Sequence, residues 1–202
     1  GSVMRATATS PSQESGRKLR ADAQRNYDAL VAVARDAFSE HGANASLDDI
    51  AKRAGVGPGT LYRHFPTRAD LHLAVLQDWI ADVEAEGDRI LALDDPEQAL
   101  DEWLHRYMGY KNFFRGLHVA LLEVPGDNDQ SSLGECKTIL TGISARVIDR
   151  AKDAGLVRDE VDSKTVCQMV SGIAFLVDQS PAGTVDVDTQ LGIIRAGIRP
   201  TD

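Results

Sequence analysis

Cysteine is scarce in this chain: Cys136 and Cys167 are the whole supply in 202 residues. Neither has a neighbour at metal-ligand spacing, so no cysteine metal site is expected, and the one alternative for the pair is a redox-switch disulfide. Two free thiols suit a reducing compartment, and the expected location is cytoplasmic. No apolar run reaches the roughly 18 residues that a membrane helix needs, so no membrane partner is expected. The N-terminal residues carry no signal-peptide pattern. There is no P-loop, HExxH, GxGxxG or nucleophile elbow, so neither an enzyme nor a bound cofactor is expected. The acidic stretch from Asp94 to Asp101 lies at a helix start and reads as capping. Lysine is rare as well, six against sixteen arginines, and aromatic residues make up only 5%.

What is present is ordinary for a helical globular protein, with 43% hydrophobic residues. The charge is unevenly spread. Residues 1–80 hold ten Lys or Arg against nine Asp or Glu, a net of +1. Residues 81–202 hold twelve against twenty-two, a net of −10, and the chain totals −9. An acidic chain argues against a non-specific polyanion binder. Any nucleic acid must be met by the first part and avoided by the second.

The first part contains SLDDIAKRAGVGPGTLYRHFPTR, residues 46–68. Ser46 is a good N-cap with Asp49 three residues on, and Leu47, Ile50, Ala51 and Ala54 share one helical face. Gly55 ends that helix where a left-handed backbone is wanted, and Val56 plugs the turn. Gly57 and Pro58 start a second helix as N-cap and N1 residue. Leu61 and Phe65 point inward, leaving Thr60, Tyr62, Arg63 and His64 outward. Pro66 stops this helix, and Thr67 with Asp70 caps the next. Two short helices about a glycine turn, the second polar and aromatic outside, form the helix-turn-helix plan.

Residues 25–80 resemble the DNA-binding domain of the TetR family of bacterial transcriptional regulators. The resemblance is carried by Phe38 and Gly42, Ile50-Ala51, Ala54-Gly55-Val56, Gly59-Thr60-Leu61-Tyr62, His64-Phe65, Arg68 and Leu71. It implies an all-α protein: an N-terminal three-helix helix-turn-helix DNA-binding domain, then a C-terminal helical ligand-binding and dimerisation domain. The expected partition is a disordered tail at 1–20, in which Gly1-Ser2 before Val3-Met4 reads as a cloning scar, a reading head at 21–70, and the second domain at 71–202. Arg17, Lys18 and Arg20 suit either a basic arm on DNA or a solubilising tail.

The candidate DNA contacts follow from side-chain chemistry. Thr60, Tyr62 and Arg63 can reach base edges, and Pro58 can touch a thymine methyl. Gly59 permits close backbone approach, and Gly57 leaves helix-start N–H groups for a phosphate. Ser46, His64 and Arg68 are expected on phosphates, with a cap or packing role as the lesser alternative for His64. Family relatives often carry a polar base reader where this chain has Pro58, so readout should lean on DNA shape.

Further helices are expected near 22–41, 68–90, 97–124, 133–154, 164–179 and 188–199, broken by Asp94-Asp95-Pro96, the loop 125–132 and Gly155. Trp103, Tyr107, Tyr110 and Phe114 fall on one stripe, which is either core or the wall of a pocket for a hydrophobic or aromatic effector. Trp79 and His118 complete the candidate ligand contacts, and His105, Lys111 and Glu123 are weaker polar candidates. The helix near 164–179 is apolar almost all round. Either it is a central core helix or a second copy covers it. The resemblance implies that this helix and the last one pair across a two-fold axis, through Val166, Val170, Ile173, Val177, Leu191, Ile194 and Ile198. The function implied is a homodimeric repressor released from a double-stranded operator by a small molecule. A helix-turn-helix module with no effector is the alternative.

Overall fold

The computed structural model describes residues 11–42, 44–122 and 130–201, and for residues 11, 114, 115, 117–122 and 130–133 the backbone alone. Its described residues form eight α-helices and no strand. The chain divides into two compact units, one reaching Leu71 and one starting at His72.

The first unit contains α1 (Pro11–His41), α2 (Leu47–Arg53), α3 (Pro58–His64) and the start of α4 (Arg68–Leu91). α1 begins at Pro11, well before the expected start near Asp22, so residues 11–20 are helix and not a disordered tail. Proline is tolerated in a first helical turn, and Gln13, Glu14, Lys18, Leu19 and Arg20 are good helix formers. Arg17, Lys18 and Arg20 are exposed on this extension. The core is the expected one: Leu30, Ala34 and Phe38 of α1 meet Ile50, Ala51, Leu61 and Phe65. Gly42 and Gly55 take φ of 73° and 72°, the left-handed conformation that a side chain would resist.

The second unit holds the rest of α4 with α5 (Pro96–Leu122), α6 (Gln130–Asp153), α7 (Ser163–Gln179) and α8 (Val187–Ile198). α5 packs on both α6 and α7. Gly155 closes α6 with φ 73°. Asp162 caps α7 by accepting from Thr165 N–H at 2.8 Å. α4 and α6 approach closely at Gly87, where an added Cβ would lie 2.7 Å from Ile143 Cδ1. Trp79, Trp103, Tyr107 and Tyr110 lie in this unit's core. Trp79 stacks near Phe113 at 5.9 Å and meets Tyr110 edge-on at 5.7 Å. Trp103 donates its indole N–H to Ser144 Oγ at 2.9 Å, and that buried hydroxyl donates to Leu140 O at 2.7 Å.

Polar links tie distant segments of this unit. The Arg150 guanidinium donates to Leu91 O at 3.1 Å and also to Leu93 O, fastening the α4–α5 connection. Arg158 N–H donates to Ile198 O at 2.9 Å, and Arg199 pairs with Glu97. His105 on α5 meets Asp188 of α8 at 2.8 Å, and Arg195 meets Asp101 at 2.8 Å. No helix among the described residues is long and apolar enough to cross a membrane.

Candidate nucleic-acid interface and ligand cavity

The α2–turn–α3 segment is built by local rules. Ser46 Oγ accepts from Asp49 N–H at 3.2 Å, which satisfies one of the amides left open at a helix start. The turn closes by Gly55 N–H to Lys52 O at 3.1 Å and Val56 N–H to Ala51 O at 3.0 Å. After α3, Thr67 and Asp70 form a reciprocal capping box. Asp70 accepts from Thr67 N–H at 2.8 Å, and Thr67 Oγ1 accepts from Asp70 N–H at 3.2 Å.

α3 then has two sides. Leu61 and the following Phe65 are buried, and Tyr27 of α1 packs against Phe65 at 5.1 Å. Tyr62 is 48% exposed. Arg63 is exposed, but its guanidinium lies back along its own helix, donating to Gly59 O and Thr60 Oγ1, both at 3.2 Å. Gly57 and Gly59 meet nothing within 4 Å where a Cβ would sit, so packing inside the chain does not demand glycine at either place.

Three expected roles change in detail. The start of α3 holds fewer open amides than Gly57 suggested, because Pro58 has no N–H and Thr60 and Leu61 N–H both donate to Gly57 O at 3.0 and 3.2 Å. His64 is half-buried and sets its ring edge-on to Tyr27 at 5.9 Å, so it packs as well as faces outward. Arg68 is half-buried and donates to Ala45 O at 2.6 Å. It holds the connection before α2 and the Ser46 cap beside it, a use of its charge that the expected phosphate contact did not foresee.

The expected ligand contacts separate in the second unit. Trp79, Trp103 and Tyr110 are buried among other side chains and belong to the core. The side chains of Phe114, His118 and Glu123 lie outside the described residues. Tyr107 does line a cavity, of about 520 Å³, between α5, α6 and α7 and partly open to solvent. Lys111, Lys137, Leu140, Lys164 and Gln168 share that wall. Burial pushes the Tyr107 phenol up to about 12, so it stays neutral at physiological pH. Between α4 and α6 there is a smaller cavity of about 360 Å³, and Glu84, Asp88, Ile139 and Arg146 are among its described lining residues, none of them aromatic. His105 is occupied structurally, bonded to Asp101 O and Asp188 Oδ1, both at 2.8 Å. Sequence reasoning missed Lys137, Lys164 and Gln168, because only the packing of three helices brings them to one wall.

The expected dimer contacts also need correction. Val166, Val170, Ile173, Leu191, Ile194 and Ile198 are buried in this chain's own core, and Val177 packs against it. They form the inner face of α7 and α8. The apolar residues on the outer face are others: Met169, Phe175 and Leu176 of α7 and Ile193 of α8, between 45% and 66% exposed. An amphipathic pattern marks an apolar face but does not say which of two apolar faces is turned inward. Cys136 is buried and its thiol is pushed up to about 12 by burial, while Cys167 is half-buried; both are free. Among the described residues no group of His, Cys, Asp and Glu is placed to hold a metal.

Two family models match the chain. One, for bacterial regulatory proteins of the tetR family, covers residues 30–75. The other, for the C-terminal domain of SbtR-like transcriptional regulators, covers residues 95–200. HTH-type transcriptional regulator SAR2658 of Staphylococcus aureus (strain MRSA252) is 43% identical over 106 residues, which is 52% of this chain and 56% of that protein. A second HTH-type regulator, from strain USA300, is 43% identical over 60 residues, 29% of this chain and 32% of that one. The chain thus spans about half or less of the length of these curated relatives. TetR transcriptional regulator SCO0520 from Streptomyces coelicolor superposes with TM-score 0.73 at 32% identity, over 87% of this chain and 99% of that one. The TetR transcription regulatory protein from Mycobacterium vanbaalenii does so with TM-score 0.70 at 28% identity, over 90% and 99%. These relatives are transcription regulators and not enzymes. The two-sided α3, the glycine turn and these matches over both units agree: the chain belongs to the TetR family of bacterial regulatory proteins.

Proposed function

We propose that this protein is a cytoplasmic transcription repressor that binds a pseudo-palindromic operator in double-stranded DNA as a homodimer and is released by a small-molecule effector. The observation that carries the reading is the two-sided α3. Leu61 and Phe65 anchor it in the core while Tyr62 and Arg63 stand exposed on the other side. A helix so anchored presents its outer side chains at fixed spacing, as major-groove reading requires.

Each residue takes a role from its chemistry. Arg63 reads a guanine edge or a phosphate once its guanidinium swings off Gly59 O. Tyr62 and Thr60 supply hydroxyls, and Pro58 meets a thymine methyl. Ser46 and His64 contact phosphates, with amides near Gly57 adding to them. Gly59 admits the DNA backbone, which gives an external reason for a glycine that packing does not demand. Arg68 acts indirectly by holding Ala45 and the adjacent cap.

The outer apolar face of α7 and α8 supports association with a second copy. The cavity among α5, α6 and α7 is of a size that suits a small effector. α6 connects it to α4: Lys137 and Leu140 line the cavity, and Ile143 is the residue against Gly87. An effector that prefers one α6 position would bias α4, and a coupling of about 1–3 kcal/mol would suffice to change operator affinity five- to a hundredfold.

The test is selection of binders from a random duplex pool at two salt concentrations. A two-fold symmetric motif, with half-sites roughly 34 Å apart, is expected. Binding without a motif that vanishes at the higher salt would sink the operator reading.

A further inference from the structure

We propose that the N-terminal extension of α1 is a second DNA-contact element, in which Arg17, Lys18 and Arg20 meet the phosphate backbone beside the groove that α3 enters. The inference rests on the operator reading and adds a surface to it.

The charge of the first unit carries the argument. Residues 21–71 hold six Lys or Arg against seven Asp or Glu, a net of −1. That stretch contains the entire helix-turn-helix, and a polyanion is not drawn to a surface of that balance. Several of its cations are also engaged within the unit: Arg25 with Asp22, Arg53 with Glu40 at 3.4 Å, and Arg68 with Ala45 O at 2.6 Å. Residues 11–20 hold three basic side chains against Glu14 alone, a net of +2. The positive excess of this unit therefore lies ahead of the helix-turn-helix.

The extension does not serve the core. No residue from Ser12 to Ala29 is buried, and Arg17, Lys18 and Arg20 are all exposed. A helical stretch without a buried face is not shaped by packing, so its composition is free to suit a partner. Helix also fixes where the charges stand. Arg17, Lys18 and Arg20 fall within about one turn. Tyr27, further along α1, packs against Phe65 and meets His64 edge-on, at the end of α3. Arg20 and Arg17 precede Tyr27 by about 10 and 15 Å along the helix axis. A major groove is about 12 Å wide. Cations that far from the end of α3 fall at or beyond the rim of the groove, where phosphates lie, and not over base edges.

The experiment measures binding of the full chain to a fluorescent random-sequence duplex, and to the duplex recovered by selection, at salt from about 50 to 200 mM. The variant carries Arg17→Gln, Lys18→Gln and Arg20→Gln together. Glutamine keeps helix propensity and all three positions are exposed, so helix content and melting temperature should hold and serve as folding controls. Losing three phosphate contacts should flatten the slope of log affinity against log salt by about 2.7 per protomer. It should weaken binding to every sequence alike, at least roughly tenfold at the lower salt, and leave the recovered motif unchanged. The charge-keeping pair Arg17→Lys with Arg20→Lys should retain the wild-type slope, which a role fixed by arginine geometry would not. An unchanged slope in the glutamine variant overturns the inference, and so does a flattened slope in the lysine pair. A changed motif at unchanged slope overturns it as well, because the extension would then touch base edges. If the wild type yields a symmetric motif and the glutamine variant binds as the wild type does, only this inference falls. If the wild type yields no motif, the regulator reading falls whatever the slopes do.

Discussion

The two units are held together over different distances along the chain. In the first, most polar contacts join residues three or four apart: Ser46 with Asp49, Thr67 with Asp70, Arg63 with Gly59. Arg53 to Glu40, across 13 residues, and Arg68 to Ala45, across 23, reach further. In the second, the defining contacts reach much further. Trp103 bonds Ser144 across 41 residues, Arg150 bonds Leu91 across 59, and Arg199 pairs with Glu97 across 102. The lesson concerns where function can reside. A surface shaped by local contacts presents side chains from one short segment, as α3 does. A surface shaped by distant contacts gathers residues that the sequence keeps apart, as the lysine-lined cavity does.

The comparison can be broken most forcefully on α7 and α8. Ile173→Asp buries an unpaired charge in the core of the second unit, at a cost of more than about 3 kcal/mol. It should unfold that unit, seen as loss of the cooperative melt. Ile193→Asp lies 66% exposed and should leave the monomer's far-ultraviolet circular dichroism intact while abolishing association in sedimentation. A folded, still dimeric Ile193→Asp protein would remove the outer face from the interface.

Operator affinity is the next largest effect. Tyr62→Ala and Arg63→Ala should each weaken binding by about 1–3 kcal/mol, a factor of ten or more, with the melting temperature nearly unchanged. Arg68→Ala should behave differently, lowering the stability of the first unit and weakening binding to all sequences alike. If Arg68→Ala left stability unchanged and altered sequence preference, its assigned role of holding Ala45 would be wrong.

In the second unit, Trp103→Phe removes the indole N–H from a buried hydroxyl and should cost about 1–3 kcal/mol in denaturant unfolding, without touching the DNA-contact residues. The smallest effect concerns pH. Burial disfavours the charged form of His105, but its bonds to Asp101 O and the Asp188 carboxylate outweigh that and raise its pKa above the ordinary histidine value. A raised folded-state value stabilises fully at pH below the ordinary value, and this contribution is lost as pH rises through the folded-state value. Wild type should therefore lose its margin over His105→Gln in paired melts as pH rises above the ordinary value of about 6.5 and through the raised folded-state value.

Legibility followed the same division. The helix-turn-helix was readable almost residue by residue, because caps, a left-handed glycine and a three-to-four-residue period are properties of short segments. Gly42, Gly55 and Gly155 stop helices where expected, and Thr67 with Asp70 forms the expected box. The beginning of α1 was hidden because polar, charged residues without a core face read as tail although their helix propensity is good. The Arg68 bond to Ala45 O was not legible, because its partner is a carbonyl that no side-chain pattern announces.

By itself the sequence determined an all-helical protein with a DNA-reading motif near its start, an acidic remainder and a second apolar helical body. Those follow from period, caps and charge, which act within a few residues. Only the tertiary structure decided which face of α7 is core and which is outer. It also sent Trp79, Trp103 and Tyr110 to packing and Tyr107 to a wall, and brought three scattered lysines together around one space. The reason is physical: helical periodicity defines the faces of a helix, but which face is buried depends on the neighbours that long-range packing places against it.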